Sequence, residues 1–166
     1  MASSLGLTED DERDLVLRQR LRHLYVDYAA CLDAGEFELW PDFFTEDGCY
    51  RVQSAENYEQ SLLHAAIYCE GKGMIRDRVS ATRVMVYEKR RQRRFVTNLR
   101  VLERGGTIRA TANLMLTEAM IDRDPVLALT GRYIDEIVEE GGKLLLRDRL
   151  CVYDNYRVVQ NLMFPL

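Results

Sequence analysis

Two histidines, His23 and His64, set a tight limit on the chemistry open to this chain of 166 residues. A mixed iron–sulfur site needs two histidines and two cysteines in closely spaced pairs, and a mononuclear iron facial triad needs two histidines and a carboxylate. Neither histidine has a cysteine or the other histidine at ligand spacing, so neither centre is expected in this chain, and no cofactor or metal site is expected either. The four cysteines, Cys31, Cys49, Cys69 and Cys151, lie far apart with no CxxC pair, which fits reduced, buried thiols and not a disulfide frame or a zinc site. No GxGxxG, GxxxxGKS/T or GxSxG stretch occurs, which removes the argument for a nucleotide site or a hydrolase elbow.

What remains for chemistry is a small set of carboxylates and hydroxyls. His23 and Asp27 stand four residues apart and could act as an acid/base pair on one helix face, though a surface hydrogen-bonded pair is the plainer reading. By strand alternation Asp135 shares a face with Leu127, Leu129, Gly131, Tyr133 and Ile137. If that face lines an interior, Asp135 is buried, its pKa is expected to rise, and it could serve as a general base. Tyr28, Tyr50 or His23 would then donate to a developing oxyanion, the layout of a cofactor-free isomerase, dehydratase or polyketide cyclase using Asp135 or Asp27 as base. The structural alternative pairs Asp135 with Arg147 or Arg149 of a neighbouring strand. The run Lys89 to Arg94 resembles a nucleic-acid patch by composition, but a solvated strand entrance meeting an acidic surface of another subunit is the favoured reading.

These groups must be positioned by elements that the pattern reveals. Thr8 followed by Glu9, Asp10 and Asp11 supplies an N-cap and an acidic first turn. Leu21, Leu24, Tyr25, Tyr28, Ala29 and Leu32 then form one apolar stripe at helical spacing, until Gly35 offers a left-handed stop. A short second helix holds Leu39, Trp40, Phe43 and Phe44, with Pro41 in its first turn. A short strand at Cys49 to Val52 precedes a loop over Gln53 to Gln60, and Ser61 to Ala81 favours helix, broken in two at Gly71 and Gly73.

From Arg93 the period becomes two: Phe95, Thr97, Leu99 and Val101 share one side, and Ile108, Ala110, Ala112, Leu114 and Leu116 another. Gly105-Gly106, Asp122 to Pro125 and Gly141-Gly142 punctuate strands at about Thr107–Ile121, Val126–Val138 and Lys143–Tyr153, giving a four-stranded antiparallel meander over 93–154. Only the helices of residues 9–47 can cover its apolar face. The expected architecture is a single α+β domain over 1–166, a cone-shaped, curved antiparallel sheet wrapped around the N-terminal helices. Residues 1–8 are expected to be a disordered arm and 155–166 a docking tail, apolar from Leu162 to Leu166.

With 47% hydrophobic residues, a net charge of −4 and a pI near 5.3, the chain can build a core but has no field to gather nucleic acid or anionic membrane. Met1 to Gly6 is too short and too weakly apolar for a secretory signal, and no apolar run approaches the ~20 residues of a membrane helix. A soluble, cytoplasmic protein is expected.

The ordered segments resemble a known family. Tyr28 through Trp40, followed by Phe43-Phe44-Thr45-Glu46-Asp47-Gly48-Cys49-Tyr50, is similar to the opening of the small (β) subunits of aromatic-ring-hydroxylating, Rieske non-heme iron dioxygenases. Met74 through Val79, Arg94 through Val101, Gly131 through Asp135 and Arg149 through Asp154 follow in the family's order. The resemblance implies the nuclear transport factor 2-like (SnoaL-like, cystatin-like) fold and an assembly of three large and three small subunits. In that assembly the large (α) subunit holds the Rieske 2Fe-2S cluster and the mononuclear iron and performs the oxygen chemistry. The small subunit is a non-catalytic scaffold, self-associating as a trimer and touching neither nucleic acid nor membrane. Asn161 through Leu166 and the loop Glu56-Asn57-Tyr58 look more like the branch acting on carboxylated rings of the terephthalate, salicylate or benzoate type. Phe95 stands where many members carry a histidine. Arg90, Arg93, Arg94, Arg100, Arg132, Arg147 and Arg149 are the expected interface residues, because arginine's planar fork suits subunit contacts.

Overall fold

The computed structural model describes residues 8–85, 90–155 and 164–166, apart from the side chains of 83–85. Of the arm expected over 1–8, residues 1–7 lie outside the described residues and Thr8 is the N-cap of the first helix; most of the expected tail also lies outside the described residues. Helix α1 runs from Glu9 to Ala34, and its start is a capping box: the Asp11 N–H donates to the Thr8 hydroxyl at 3.2 Å, and the Thr8 N–H donates to the Asp11 carboxylate at 2.9 Å. Its end is Gly35 at φ 76°, where the left-handed turn returns the chain N–H groups to Cys31 and Leu32 carbonyls. A 3-10 turn, Trp40–Phe43, carries Pro41 near its start and leads into strand β1, Phe44–Ser54. Then follow helix α2, Ala55–Glu59, strand β2, Ile67–Glu70, and helix α3, Gly71–Met85. The remainder is β3, Arg90–Glu103; β4, Ile108–Met120; β5, Arg123–Glu140; and β6, Lys143–Tyr153.

The six strands form one open sheet in the order β2-β1-β6-β5-β4-β3. The β3 to β6 meander is antiparallel throughout, as its turns imply. The sheet as a whole is mixed, because β1 pairs with β6 in parallel register, Tyr50 opposite Arg149 and Val52 opposite Cys151. Two local expectations are corrected. Residues expected to form a loop after Gln53 contain α2, which Ser54 caps by accepting from the Asn57 N–H at 3.2 Å. The stretch expected to be helical from Ser61 instead supplies β2, where Ile67 and Cys69 alternate inward, before α3 begins at Gly71.

Helix α1 lays its apolar stripe in the concave face of the sheet. Leu21, Tyr25, Tyr28 and Leu32 are buried against Ala110, Ala112, Leu114, Tyr133, Ile137 and Leu146 of the strands. Aromatic rings fill the middle: Tyr28 meets Phe44 and Tyr133 edge-on, and Trp40 meets Phe44 and Tyr50 edge-on with centroids 5.5 and 5.0 Å apart.

Two irregularities decide which side chains reach this interior. In β3 the register shifts between Thr97 and Arg100, with Asn98 at φ 54°. Before it Arg94 and Val96 point inward and Phe95 outward; after it Leu99 and Val101 pack against the core. In β6 a second shift doubles Arg147 and Asp148 against Glu136 of β5, so that Leu144 and Leu146 and then Arg149, Cys151 and Tyr153 are the buried residues of the concave face.

Candidate functional site

At the centre of the cone, where an enzyme of this shape would need a cavity, stands an ion pair. Asp135 on β5 and Arg149 on β6 are direct cross-strand partners, and Arg149 donates through Nε and Nη2 to the two carboxylate oxygens at 2.9 and 2.7 Å. Both side chains are fully removed from solvent. Tyr25, reaching down from α1, donates its hydroxyl to the same carboxylate. The guanidinium is held between rings, 4.0 Å from the centroid of Tyr28, 4.1 Å from Tyr133 and 5.0 Å from Tyr25. Burial opposes the charge on Arg149, but the facing Asp135 carboxylate outweighs it and holds the guanidinium well above its ordinary pKa. Burial, and then the Asp135 charge, push the Tyr25 hydroxyl far up as well. The cluster is therefore locked: the carboxylate accepts three donors and the cation cannot release its proton.

Tyr50 and Tyr28 are equally enclosed. The Tyr50 hydroxyl accepts from the Leu166 N–H at 2.8 Å, and the Tyr28 hydroxyl donates to the Leu166 carbonyl at 2.9 Å while accepting from Trp40 Nε1 at 2.9 Å. Of the five residues that could have formed a general acid/base site, Asp135, Tyr28 and Tyr50 are interior, whereas His23 and Asp27 are exposed on the flank of α1. There His23 Nε2 meets Gln19 Nε2 at 2.9 Å, and both His23 and Asp27 edge a cleft of about 520 Å³ with Leu39, Phe43 and Leu144. The fold does not bring the interior and the exposed candidates to a common accessible surface.

The seven arginines expected at interfaces divide in two. Arg149 and Arg94 face inward and are committed to the core: Arg94 is paired with Asp33 at 2.7 Å and donates through Nη2 to the Pro165 carbonyl at 2.5 Å. This corrects their placement at a surface, and the two strand irregularities are the reason. Arg90 pairs with Glu118 at 3.2 Å, and Arg147 with Glu136 at 2.8 Å across the outer face. Arg132 lies over the Tyr58 ring at 5.5 Å, while Arg93 and Arg100 are exposed. Arg93 also donates to the Asp33 carbonyl at 3.1 Å. The helical stripe and the aromatic cluster marked Tyr25 and Trp40 as interior, but nothing in the sequence signalled that Tyr25 donates to Asp135 and Trp40 to Tyr28.

Among the described residues no group of three or more His, Cys, Asp and Glu is arranged to hold a metal ion, so these side chains fit neither a Rieske cluster nor a mononuclear iron. No helix among them is long and apolar enough to cross a membrane.

A family model described as the ring hydroxylating beta subunit matches residues 28–160. The chain belongs to that family. Its β-subunit relatives include a terephthalate 1,2-dioxygenase terminal oxygenase component, subunit beta 1, from Comamonas, 31% identical over 77% of this chain and 84% of the relative. The anthranilate 1,2-dioxygenase small subunit of Burkholderia cepacia is 28% identical over 84% of this chain and 88% of its own. Among solved structures, one described as the β subunit of an aromatic-ring-hydroxylating dioxygenase from Novosphingobium aromaticivorans superposes with a TM-score of 0.84 at 28% identity, covering 92% of this chain and 99% of that one. The open six-stranded cone described above is thus shared with that β subunit.

Proposed function

We propose that this protein is the non-catalytic small subunit of the terminal oxygenase of a ring-hydroxylating dioxygenase, a cytoplasmic scaffold for a large subunit. The large subunit would hold the Rieske 2Fe-2S cluster and the mononuclear iron and insert oxygen, with electrons supplied to the system from NAD(P)H. The observation that carries this reading is the filled cone of a chain in the ring-hydroxylating β-subunit family: Asp135 and Arg149 neutralise each other, and Tyr25 donates to the same carboxylate, where a substrate would have to sit. The same observation weighs against a stand-alone isomerase, dehydratase or cyclase, since Asp135 and Tyr50 face no open space.

The role of such a subunit is contact surface. Arg93, Arg100, Arg132 and Arg147 remain on the outside, and beside them Phe95 and Met115 are exposed at 48% and 38% on neighbouring strands. Apolar rings flanked by arginine have the composition of subunit interfaces. This supports self-association as a trimer through the sheet, capped by three large subunits. The terephthalate and anthranilate relatives are components of enzymes acting on ring carboxylates, which supports an aromatic carboxylate as the substrate of the complex.

Co-expression with candidate large subunits tests the proposal. Light scattering is expected to give a mass for three large and three small subunits, with oxygen uptake on an aromatic carboxylate dependent on both. Turnover of a small substrate by the purified chain alone would overturn it.

A further inference from the structure

Phe164, Pro165 and Leu166 are held by side chains of other elements and not by a strand or helix of their own. Leu166 is 2% exposed and belongs to the core, yet its backbone joins no strand: its N–H donates to the Tyr50 hydroxyl and its carbonyl accepts from the Tyr28 hydroxyl. The Pro165 carbonyl accepts from Arg94 Nη2, and the Phe164 ring stacks on Phe37 with centroids 5.2 Å apart. Every one of these partners comes from elsewhere in the fold, namely α1, β1, β3 and the turn after α1.

Tyr28 and Tyr50 also have contacts that do not involve the segment they hold. Tyr28 is oriented by the Trp40 N–H and by the faces of Phe43 and Phe44, and Tyr50 by Trp40 and Phe44 at right angles. The interior also has polar capacity that the segment does not use: Tyr133 Oη and Arg149 Nη1 are buried and have no hydrogen-bond partner among the described residues. An apolar position enclosed by rings, with one donor and one acceptor for a backbone, has the polar and apolar groups of a ligand site.

We propose that the cone interior is a binding site for an acylated, branched-chain amino acid or peptide segment, and that Phe164 to Leu166 is its resident occupant. The side chain of Leu166 takes the apolar position, and its N–H and C=O take the Tyr50 and Tyr28 positions. The cone is thus closed by recognition of a short segment and not by continuous core packing alone.

The test is a chain shortened to residue 163, titrated with the peptide N-acetyl-Phe-Pro-Leu. The shortened chain is expected to fold with a lowered Tm, to bind one peptide by calorimetry and to regain stability as the site saturates. The control N-acetyl-Phe-Pro-Asp should do neither, and the full chain should bind neither peptide. Tyr28→Phe and Tyr50→Phe, each made in the shortened chain, are expected to weaken the peptide by about three- to tenfold, the worth of one neutral hydrogen bond. A folded, shortened chain that takes up no peptide, or takes both equally, overturns the proposal. Should the shortened chain fail to fold, full-length Leu166→Ala decides: the site predicts a Tm that rises with added isobutanol above any change in the unaltered protein. No difference between the two would refute it.

Discussion

Arg149 and Asp135 meet across β6 and β5 as a bidentate pair wholly inside the protein, with the guanidinium sandwiched between Tyr28 and Tyr133. A buried pair of this kind contributes little net stability beyond what apolar residues of the same volume would give, because desolvating both charges offsets their attraction. What it does provide is an arrangement with one solution: two oxygens, two nitrogens and three rings that fit in a single register of β5 against β6. That suits a subunit whose task is to hold its shape.

Breaking the pair from one side leaves a bare charge in the core. Arg149→Met alone, or Asp135→Asn alone, is expected to destabilise the chain by about 3–5 kcal/mol. The double variant is expected to recover much of that loss, since neither charge is then left without its partner. Urea denaturation of the three variants gives the coupling energy directly. Losses that simply add would mean the pair does not act as a unit.

Gly131 sits opposite Tyr153 in the β5–β6 pairing, and a Cβ there would lie 2.2 Å from the Val152 carbonyl oxygen. No side-chain rotation relieves a clash with backbone. Gly131→Ala is therefore expected to force the strands apart and to lower stability by about 1–3 kcal/mol, the usual range for overpacking, measured as a shift in urea midpoint. An unchanged midpoint would show that the two strands can separate freely at this point.

The meander and the covering helix were legible in the sequence because both rest on local periodicity. The alternation from Ile108 to Leu116 and the stripe from Leu21 to Leu32 each mark one buried face. Two things escaped it. The parallel pairing of β1 with β6 joins residues about a hundred positions apart, such as Tyr50 and Arg149, and no local pattern encodes a partner that distant. Alternation also fails wherever a strand takes an extra residue. Asn98 reverses the sense of β3, so Phe95 turns outward and Arg94 inward, and the extra residue at Arg147 puts Arg149, where an unbroken register would put Asp148, opposite Asp135. A single misplaced residue exchanges surface for core along the rest of a strand.

Stability should decline in alkali before any tyrosine titrates in the unfolded chain. Burial pushes the Cys151 thiol up to about 12, from an ordinary value of 9.0. The unfolded state therefore releases its proton first, so this contribution is complete below pH 9 and is lost as pH rises toward 12. Tyr50 and Tyr133, raised by burial above 10.0, add to the loss at higher pH. The urea midpoint is expected to be flat up to about pH 9 and to fall beyond it, and Cys151→Ala is expected to make that fall shallower, the rest coming from Cys49, which burial pushes up to about 11, and from Cys31 and Cys69, which burial also raises. A Cys151 that reacts with iodoacetamide in the native protein at mildly alkaline pH would contradict the shift.

The outward face of β3 and β4 is where subunit contact can be tested without disturbing the core. Phe95 lies directly opposite Met115, and Thr97, Asn113, Thr130 and Arg132 surround them in a shallow depression of about 380 Å³. An exposed aromatic ring on a flat sheet face gains nothing in an isolated chain, so Phe95→Asp should change the stability of the purified monomer by no more than about 0.5 kcal/mol. In an interface the same change buries a carboxylate against Met115 and should prevent association. The expected result is a chain with unaltered circular dichroism and urea midpoint that no longer assembles with large subunits, read by light scattering as loss of the high-mass complex. If Phe95→Asp assembles as readily as the unaltered chain, the β3–β4 face is solvent-exposed in the complex and the contact surface lies elsewhere, with Arg147 on β6 the next residue to replace.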